Sequence, residues 1–277
     1  MKIQPLSLNI KNKEDTLEFI EDEFDIEKYR IHPDQNIEIK PPVLIIEQNG
    51  EQFILMTEGS SSMLQGKAKS KKTTLLKGIA VAVSSGRFKN LISSYHRNQV
   101  GLVDTEQDEE DCWYSVRQIQ ALSQGRVIDY FSVPELSIEQ RKKLVEEYLK
   151  STPNCGLIIL DNIAHFVKSF NSEEECAELI QWINKTKKIY KVHFLLILHE
   201  NKSDGNYNAK GHLGTMLEQN CQTIIRLEEV KSDSRKSIVM PKAMRKRKFE
   251  KFIITFDQFG NPEFEDYDED DYKPLRI

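Results

Sequence analysis

One stretch, GKAKSKKT at residues 66–73, follows a weak strand pattern and precedes an apolar helix pattern. Loops with the pattern Gly, four residues, then Gly-Lys-Ser/Thr cradle phosphates with their backbone N–H groups. Gly66, Lys72 and Thr73 are in register with that pattern, whereas Lys71 stands where the second Gly belongs. The following helix would direct its N-terminal dipole at an anion. The stretch therefore predicts a phosphate-binding loop, and a solvated basic turn is the alternative interpretation.

Composition limits the class of protein. The 277 residues are 39% hydrophobic and 30% charged, which suits one large α/β domain with a modest appendage. The net charge of −5 means that any contact with nucleic acid must come from a local basic patch. Four scattered cysteines without a CxxC pair indicate buried thiols in a reducing cytosol. The N-terminus has no apolar signal core and no stretch is long enough to span a bilayer, so we expect a cytoplasmic protein without membrane contact.

Strand and helix patterns alternate after the loop, which favours a doubly wound α/β sheet. The apolar runs QVGLVD, GLIIL and VHFLLIL do not alternate with polar residues, as is typical of central parallel strands covered on both faces. Asn49-Gly50 between two apolar runs predicts a hairpin before the loop. After about residue 221 only strand patterns follow. The predicted fold is a mainly parallel sheet flanked by helices, with a C-terminal antiparallel β extension. Helix patterns cover about 73–85, 108–123, 137–150 and 173–188.

Polar residues follow three buried strands at their carboxyl ends, where ligands of open α/β sheets bind. Glu106 follows QVGLVD, where a carboxylate would polarise the water that attacks a γ-phosphate, although it would equally serve as a helix cap. Asp161 follows GLIIL, as in the Walker B pattern whose carboxylate holds Mg²⁺, although many strands end in Asp. His199 follows FLLIL and would sense the γ-phosphate, unless it is a buried histidine with satisfied hydrogen bonds. We expect no arginine near these sites.

Five segments together resemble the RecA-fold P-loop ATPases of the hexameric replicative-helicase type. They are GKAKSKKT, VDTEQ, GLIILDN, ILHENKSDGNYNAKGHLGT and PKAMR. More narrowly, the chain resembles the stand-alone RecA-like ATPases of mobile elements, phages and plasmids. The resemblance implies a RecA-like P-loop NTPase domain at 41–265, and the polar, charged composition on either side predicts an N-terminal arm at 1–40 and an acidic tail at 266–277. It also implies an ATP-hydrolysing motor that acts on single-stranded DNA in replication or mobilisation of a genetic element, with helicase activity as a further expectation.

The resemblance assigns roles to individual residues. Lys72 serves the phosphates of ATP, Thr73 and Asp161 serve Mg²⁺, Glu106 is the catalytic carboxylate, and 199–202 form the sensor region. The residues expected to bind ATP are Gly66, Lys67, Ala68, Lys69, Ser70, Lys71, Lys72, Thr73 and Thr74.

Two distal segments are expected to act beyond the nucleotide site. Residues 203–214 resemble a mobile DNA-facing loop. Arg245 matches the position from which such enzymes send a finger into the neighbouring subunit's site, which implies a homo-oligomer, expected to be a hexamer. The basic run at 242–248 would be a solvated face, a set of phosphate contacts or an interface between subunits.

Two other functions stay open at the level of sequence. Lys71 lacks the freedom of glycine for left-handed backbone angles, so the loop would bind ATP as a switch with little hydrolysis. Alternatively, Lys67 directly after the first glycine is typical of partition-type P-loop ATPases, in which this lysine acts across a dimer. Because glycine restores the common pattern, Lys71→Gly is predicted to be tolerated or activating.

Overall fold

The computed structural model describes residues 25–200 and 211–269. By its contacts the chain divides into two units, Met1–Ile39 and Lys40–Ile277. In the first unit, the described residues form a short 3₁₀ helix, Ile26–Tyr29, whose N-terminus is capped by the Asp25 side chain. No helix within the described residues is long and apolar enough to cross a membrane.

The second unit alternates strands and helices and ends in a run of strands. In chain order the strands are β1 (Pro42–Gln48), β2 (Glu51–Thr57), β3 (Ser61–Gly66), β4 (Arg87–Phe88), β5 (Leu91–Ile92), β6 (Gln99–Asp104), β7 (Asp129–Ser132), β8 (Cys155–Asp161), β9 (His193–His199), β10 (Thr223–Val230), β11 (Asp233–Met244), β12 (Phe252–Phe256) and β13 (Pro262–Asp266). The helices are α1 (Lys72–Ser85), α2 (Glu109–Leu122), α3 (Ile138–Ser151), α4 (Glu173–Tyr190) and α5 (Gly211–Asn220). A second 3₁₀ helix covers Ile163–Phe166.

Nine strands form the main sheet in the order β13-β12-β11-β10-β3-β9-β8-β6-β7. The six strands from β10 to β7 in this order are parallel, and β11, β12 and β13 continue the sheet antiparallel to their neighbours. The predicted fold class is therefore correct. One detail differs, because β10 lies after residue 221 but pairs in parallel with β3.

Helices cover both faces of the parallel strands. Alternate strand residues such as Leu157 and Ile159 join the core that contains α1, whereas Ile158 and Leu160 join the core that contains α4. Because both faces are buried, these strands are apolar at consecutive positions, which explains the unalternating runs in the sequence. Helix α3 begins with the predicted cap, since Ser137 forms a capping box with Gln140.

The predicted hairpin forms from β1 and β2, but it lies outside the main sheet. It belongs to a separate four-stranded antiparallel sheet in the order β2-β1-β5-β4. The two-residue strands β4 and β5 follow α1 directly, and they were too short to show a pattern in the sequence. Their Leu91 and Phe88 join the core on the α1 face.

Candidate active site

The carboxyl ends of β3, β6, β8 and β9 meet at one edge of the sheet. Gly66 pairs with His199, and Asp104 pairs with Asp161. The edge opens into a cleft of about 380 Å³. The cleft is lined by residues 69–73, Asp104, Glu106, Gln107, Asp161, His199 and Phe256. The structure thus brings the predicted loop, the two carboxylates and the histidine into one site, and it adds Phe256, which the sequence did not indicate.

The loop begins where β3 ends at Gly66. A Cβ at this position would lie 2.6 Å from the carbonyl oxygen of Leu227 and would also overlap the Ser70 side chain, so only glycine fits. The Lys72 amine donates to the carbonyls of Gly66 at 3.0 Å and Lys67 at 2.8 Å. Burial lowers the pKa of Lys72 to about 8, although Asp161 and nearby glutamates favour its charged form. A buried ammonium among backbone carbonyls is a group that phosphate oxygens would stabilise.

Lys71, the irregular residue of the loop, has the left-handed backbone conformation that a glycine usually supplies (φ 64°, ψ 23°). Its side chain crosses to β11, where the amine donates to the Ser234 carbonyl at 2.6 Å. Lys71 therefore has the backbone conformation that glycine has in the common pattern, and its ammonium binds β11.

Asp104, the last residue of β6, holds the loop that carries Glu106. Its carboxylate accepts the backbone N–H groups of Glu106 and Gln107, each at 2.9 Å, and the Tyr130 hydroxyl at 2.8 Å. Helix α2 is capped by Asp108, whose side chain accepts the backbone N–H of Asp111. The interpretation of Glu106 as a helix cap is therefore wrong.

The Glu106 carboxylate faces the cleft between two histidines and an amide. Its oxygens lie 3.7 Å from Nε2 of His199 and 3.7 Å from Nε2 of His165, and one accepts from Nδ2 of Asn162 at 3.1 Å. His199 is the main cause that lowers the pKa of Glu106 to about 2, with Asn162 and His165 adding to it against the effect of burial. Glu106 therefore stays ionised at any ordinary pH.

Asp161 ends β8 beside this carboxylate. Burial, with the negative charges of Asp104 and Glu106, raises the pKa of Asp161 to about 7, while Lys72 acts in the opposite direction. Three carboxylates close together favour an added positive charge, and Thr73 lines the same cleft. The oxygen donors of Asp161 and Thr73 therefore fit a Mg²⁺ ion, which prefers carboxylate and hydroxyl ligands alongside phosphate oxygens.

His199, the last residue of β9, and Glu200, the next residue, point to different sides. His199 lines the cleft, and its buried Nδ1 finds no hydrogen-bond partner within the described residues. Glu200 is buried instead, where it accepts from Gln65 at 3.0 Å and from Arg226 at 2.7 Å. The expectation that no arginine lies near the strand-end sites is therefore wrong, because Arg226 pairs with Glu200.

Part of the predicted sensor and DNA-facing segments, 201–210, lies outside the described residues. The predicted loop at 203–214 extends too far, because residues 211–214 form the first turn of α5. Gly211 starts this helix with a left-handed φ of 66° and packs against Phe170, which leaves no room for a side chain.

Arg245 lies at the other end of the sheet from the loop. Met244 pairs with Thr223, which pairs with Ser62 near the start of β3, whereas the loop follows the end of β3. The Arg245 side chain donates to the Gln219 carbonyl at 3.3 Å. Arg245 therefore does not reach the cleft of its own chain.

The basic run that contains Arg245 is not uniformly solvated. Lys242 pairs with Glu218 at 2.5 Å, and Arg247 pairs with Glu51 at 2.6 Å while its guanidinium lies over the Phe53 ring. Lys242 is therefore not part of a solvated face, whereas the Arg247 side chain is 69% exposed and fits that interpretation.

Two residues of the site had no signal in the sequence beyond their closeness to Asp161. Asn162 contacts Glu106, and its backbone N–H donates to the Thr105 hydroxyl at 3.0 Å. His165 stands on the 3₁₀ helix after β8, with Nδ1 at 2.9 Å from the same hydroxyl and Nε2 facing Glu106. The 3₁₀ turn brings His165 back to the end of β6, and its spacing alone does not indicate that turn.

This sheet order, with a phosphate-type loop and two acidic strand ends in one cleft, defines a RecA-like P-loop ATPase. Residues 33–205 match the AAA domain family, and the chain belongs to this family. The resemblance to RecA-fold P-loop ATPases is thereby confirmed. No match was found among curated proteins.

Three solved structures share the fold. The RadB recombinase has 14% identity and a TM-score of 0.52, with 77% of this chain and 93% of that chain covered. The ATPase domain of a helicase has 12% identity and a TM-score of 0.55, with 76% and 86% covered. The flagellar accessory protein FlaH from Methanocaldococcus jannaschii has 15% identity and a TM-score of 0.51, with 75% and 90% covered. At these identities the likeness shows the fold alone.

Proposed function

We propose that this protein binds and hydrolyses ATP and acts as a motor on DNA, in replication or mobilisation of a genetic element. The observation that carries the ATPase part is the meeting of Lys72, Glu106, Asp161 and His199 in one cleft. The DNA part is supported by the resemblance to replicative-helicase ATPases and by the name of one structural neighbour, a recombinase. Residues 41–265 would form the motor domain, with an arm at 1–40 and an acidic tail at 266–277.

The loop would bind the triphosphate. The Lys72 ammonium would leave the carbonyls of Gly66 and Lys67 for the β- and γ-phosphate oxygens, which would also keep it protonated. Backbone N–H groups of 67–74 would complete the cradle. Asp161 and Thr73 would hold Mg²⁺, which when bound neutralises charge on the transferring phosphate.

Glu106 would orient the attacking water. With its pKa at about 2, the carboxylate is fully ionised and accepts a hydrogen bond well, but it takes up a proton poorly. A histidine Nε2 lies 3.7 Å from each of the two Glu106 oxygens, so a shift of His199 toward the γ-phosphate would raise the basicity of Glu106. His199 would in this way connect phosphate sensing to water activation.

The trans-acting part of the proposal is an oligomer, expected to be a hexamer, in which Arg245 reaches the next subunit's phosphate. Its support is position: Arg245 lies at the opposite end of the sheet from the cleft of its own chain. Charge on the transferring group needs a positive partner beyond the loop lysine, and fingers of this kind contribute about 10³–10⁵ in rate.

The experiment that tests the proposal measures ATP hydrolysis with and without single-stranded DNA, together with the mass of the protein in solution. We expect Mg²⁺-dependent hydrolysis that DNA stimulates, in an assembly larger than a monomer. Lys72→Ala should reduce hydrolysis by about 10²–10³-fold and weaken nucleotide binding. Normal turnover in that variant would contradict the loop assignment, and hydrolysis unaffected by DNA would contradict the motor.

A further inference from the structure

The Lys71 side chain makes a connection that glycine at this position would lack. Its amine donates to the Ser234 carbonyl at 2.6 Å and to the Lys69 carbonyl at 3.2 Å. It also lies 5.9 Å from the centre of the Phe256 ring, within the range of a cation–π interaction. One ammonium therefore contacts the phosphate-binding loop and two strands of the C-terminal extension.

The partners of Lys71 are separated from the loop by most of the chain. Ser234 is the second residue of β11, and Phe256 is the last residue of β12. Phe256 also lines the cleft, so the contact is made at the edge of the nucleotide site. At its other end β11 runs to Met244, directly before Arg245.

The backbone conformation of Lys71 has an energetic cost that its side-chain contacts can offset. A residue with a Cβ adopts left-handed angles only with a penalty, whereas glycine adopts them freely. Hydrogen bonds to a charged donor are stronger than neutral ones, so the ammonium contacts can offset that penalty. With glycine at this position the loop would be unstrained but free of β11, whereas with lysine it is strained but bonded to β11.

We propose that Lys71 is a positioning residue that ties the phosphate-binding loop to the start of β11. Because of this contact, the loop and residues 231–237 of the β10–β11 hairpin would move together. If the protein binds ATP as proposed above, a change at the phosphates would then be passed along β11 toward Arg245. The irregular residue therefore adds a contact to the phosphate-binding loop and does not impair it.

Hydrogen–deuterium exchange on the nucleotide-free protein tests the tie directly. Lys71→Met keeps a long side chain and the left-handed backbone but removes the ammonium. We expect backbone amides in both 66–73 and 231–237 to exchange about three- to tenfold faster, as the loss of one solvent-exposed hydrogen bond implies, with the circular dichroism spectrum unchanged. Lys71→Gly should loosen residues 231–237 in the same way, despite its relaxed backbone, and Lys71→Arg should preserve most of the protection.

Lys69→Met is the matched control, because it removes the same charge from the same loop. Lys69 also has left-handed angles, with φ at 66°, but no hydrogen bond from its amine is found within the described residues. It should leave exchange at 231–237 unchanged. Equal exchange in wild type, Lys71→Met and Lys71→Gly would overturn the tie.

Nucleotide binding provides the second measurement, with a fluorescent ATP analogue as the probe. Lys71→Met and Lys71→Gly should bind it about three- to tenfold more weakly than wild type. For Lys71→Gly this reverses the expectation from the loop pattern, which ignored the Lys71 contact with Ser234. The analogue should protect 231–237 in wild type but not in these variants. Protection of the hairpin in all of them would refute transmission along β11. Failure of wild type to bind the analogue would count against the proposed function, while the exchange result without nucleotide would still decide the tie.

Discussion

The charge of the site is set residue by residue, and Glu106 shows how. Its position between His199 and Asn162 keeps it ionised and aimed into the cleft. Glu106→Gln preserves the shape and the contact with Asn162 but removes the charge that orients a water. We expect hydrolysis to fall by about 10²–10⁴-fold while ATP binding is retained. Single-turnover hydrolysis and equilibrium binding separate the two effects, and wild-type turnover would leave Glu106 without a catalytic role.

Asp161 leads to a prediction about stability and pH. Its folded-state pKa, about 7, lies above the ordinary value of 3.8, so ionisation of the folded protein is disfavoured. Because this pKa is raised, the contribution of Asp161 to the free energy of unfolding is fully present below about pH 4 and is lost as the pH rises through 7. Asp161→Asn should therefore raise the melting temperature of the nucleotide-free protein, and by more at pH 8 than at pH 5. Asp129→Asn, at an acidic residue of β7 far from the cleft, is the comparison. An equal gain in melting temperature at both pH values for Asp161→Asn would contradict the raised pKa.

At the residue scale, sequence patterns found the groups that stand directly at strand ends. Glu106, Asp161 and His199 each follow an apolar run, so their meeting follows from the parallel sheet alone. Phe256 and His165 could not be found in this way. Phe256 reaches the cleft through the pairing of β11 with β12, and His165 through a 3₁₀ turn. Neither path leaves a pattern in the local sequence.

At the scale of elements, helix starts are the features that local chemistry determines best. Ser137 accepts the backbone N–H of Gln140 at 3.2 Å, and the Gln140 side chain accepts the backbone N–H of Ser137 at 2.8 Å. Ser137→Ala should lower the free energy of unfolding by about 1 kcal/mol, measured by urea denaturation. Ser232→Ala, at an exposed serine of the β10–β11 turn, should have no effect. An unchanged unfolding midpoint for Ser137→Ala would show that α3 does not need its cap.

Elements with weak local signals were the ones that the sequence did not predict. Helix α5 follows directly after a polar, glycine-bounded segment, and of its side chains Leu213 and Leu217 are buried in the core while Met216 packs against it. The strands β4 and β5 are two residues long; β5 pairs with β1, and β4 pairs with β5. Such elements are fixed by their neighbours in the tertiary structure, so periodicity within the segment cannot indicate them.

At the scale of the whole molecule, the long strand β11 relates the two ends of the sheet. Its first residues contact the phosphate-binding loop through Lys71, and Arg245 follows its last residue. A chain with its nucleotide cleft at one end and an arginine at the other is suited to head-to-tail assembly. Head-to-tail contacts close into rings or continue as filaments, and each junction would join one subunit's loop to the next subunit's Arg245.

Mixing inactive variants tests that junction. An Arg245→Ala subunit keeps an intact cleft but offers no finger, whereas a Lys72→Ala subunit has a defective loop but an intact Arg245. Where the two adjoin, the cleft of the first would receive the arginine of the second, so the mixture should recover part of the ATPase activity that each lacks alone. A mixture of Lys72→Ala with Glu106→Gln is the matched control, because both changes fall in the same cleft and no junction would be complete. Since a finger is worth about 10³–10⁵ in rate, even a few complete junctions should be measurable above background. Equal lack of activity in both mixtures, with mixed assembly shown by native mass spectrometry, would rule out Arg245 as a finger acting between subunits.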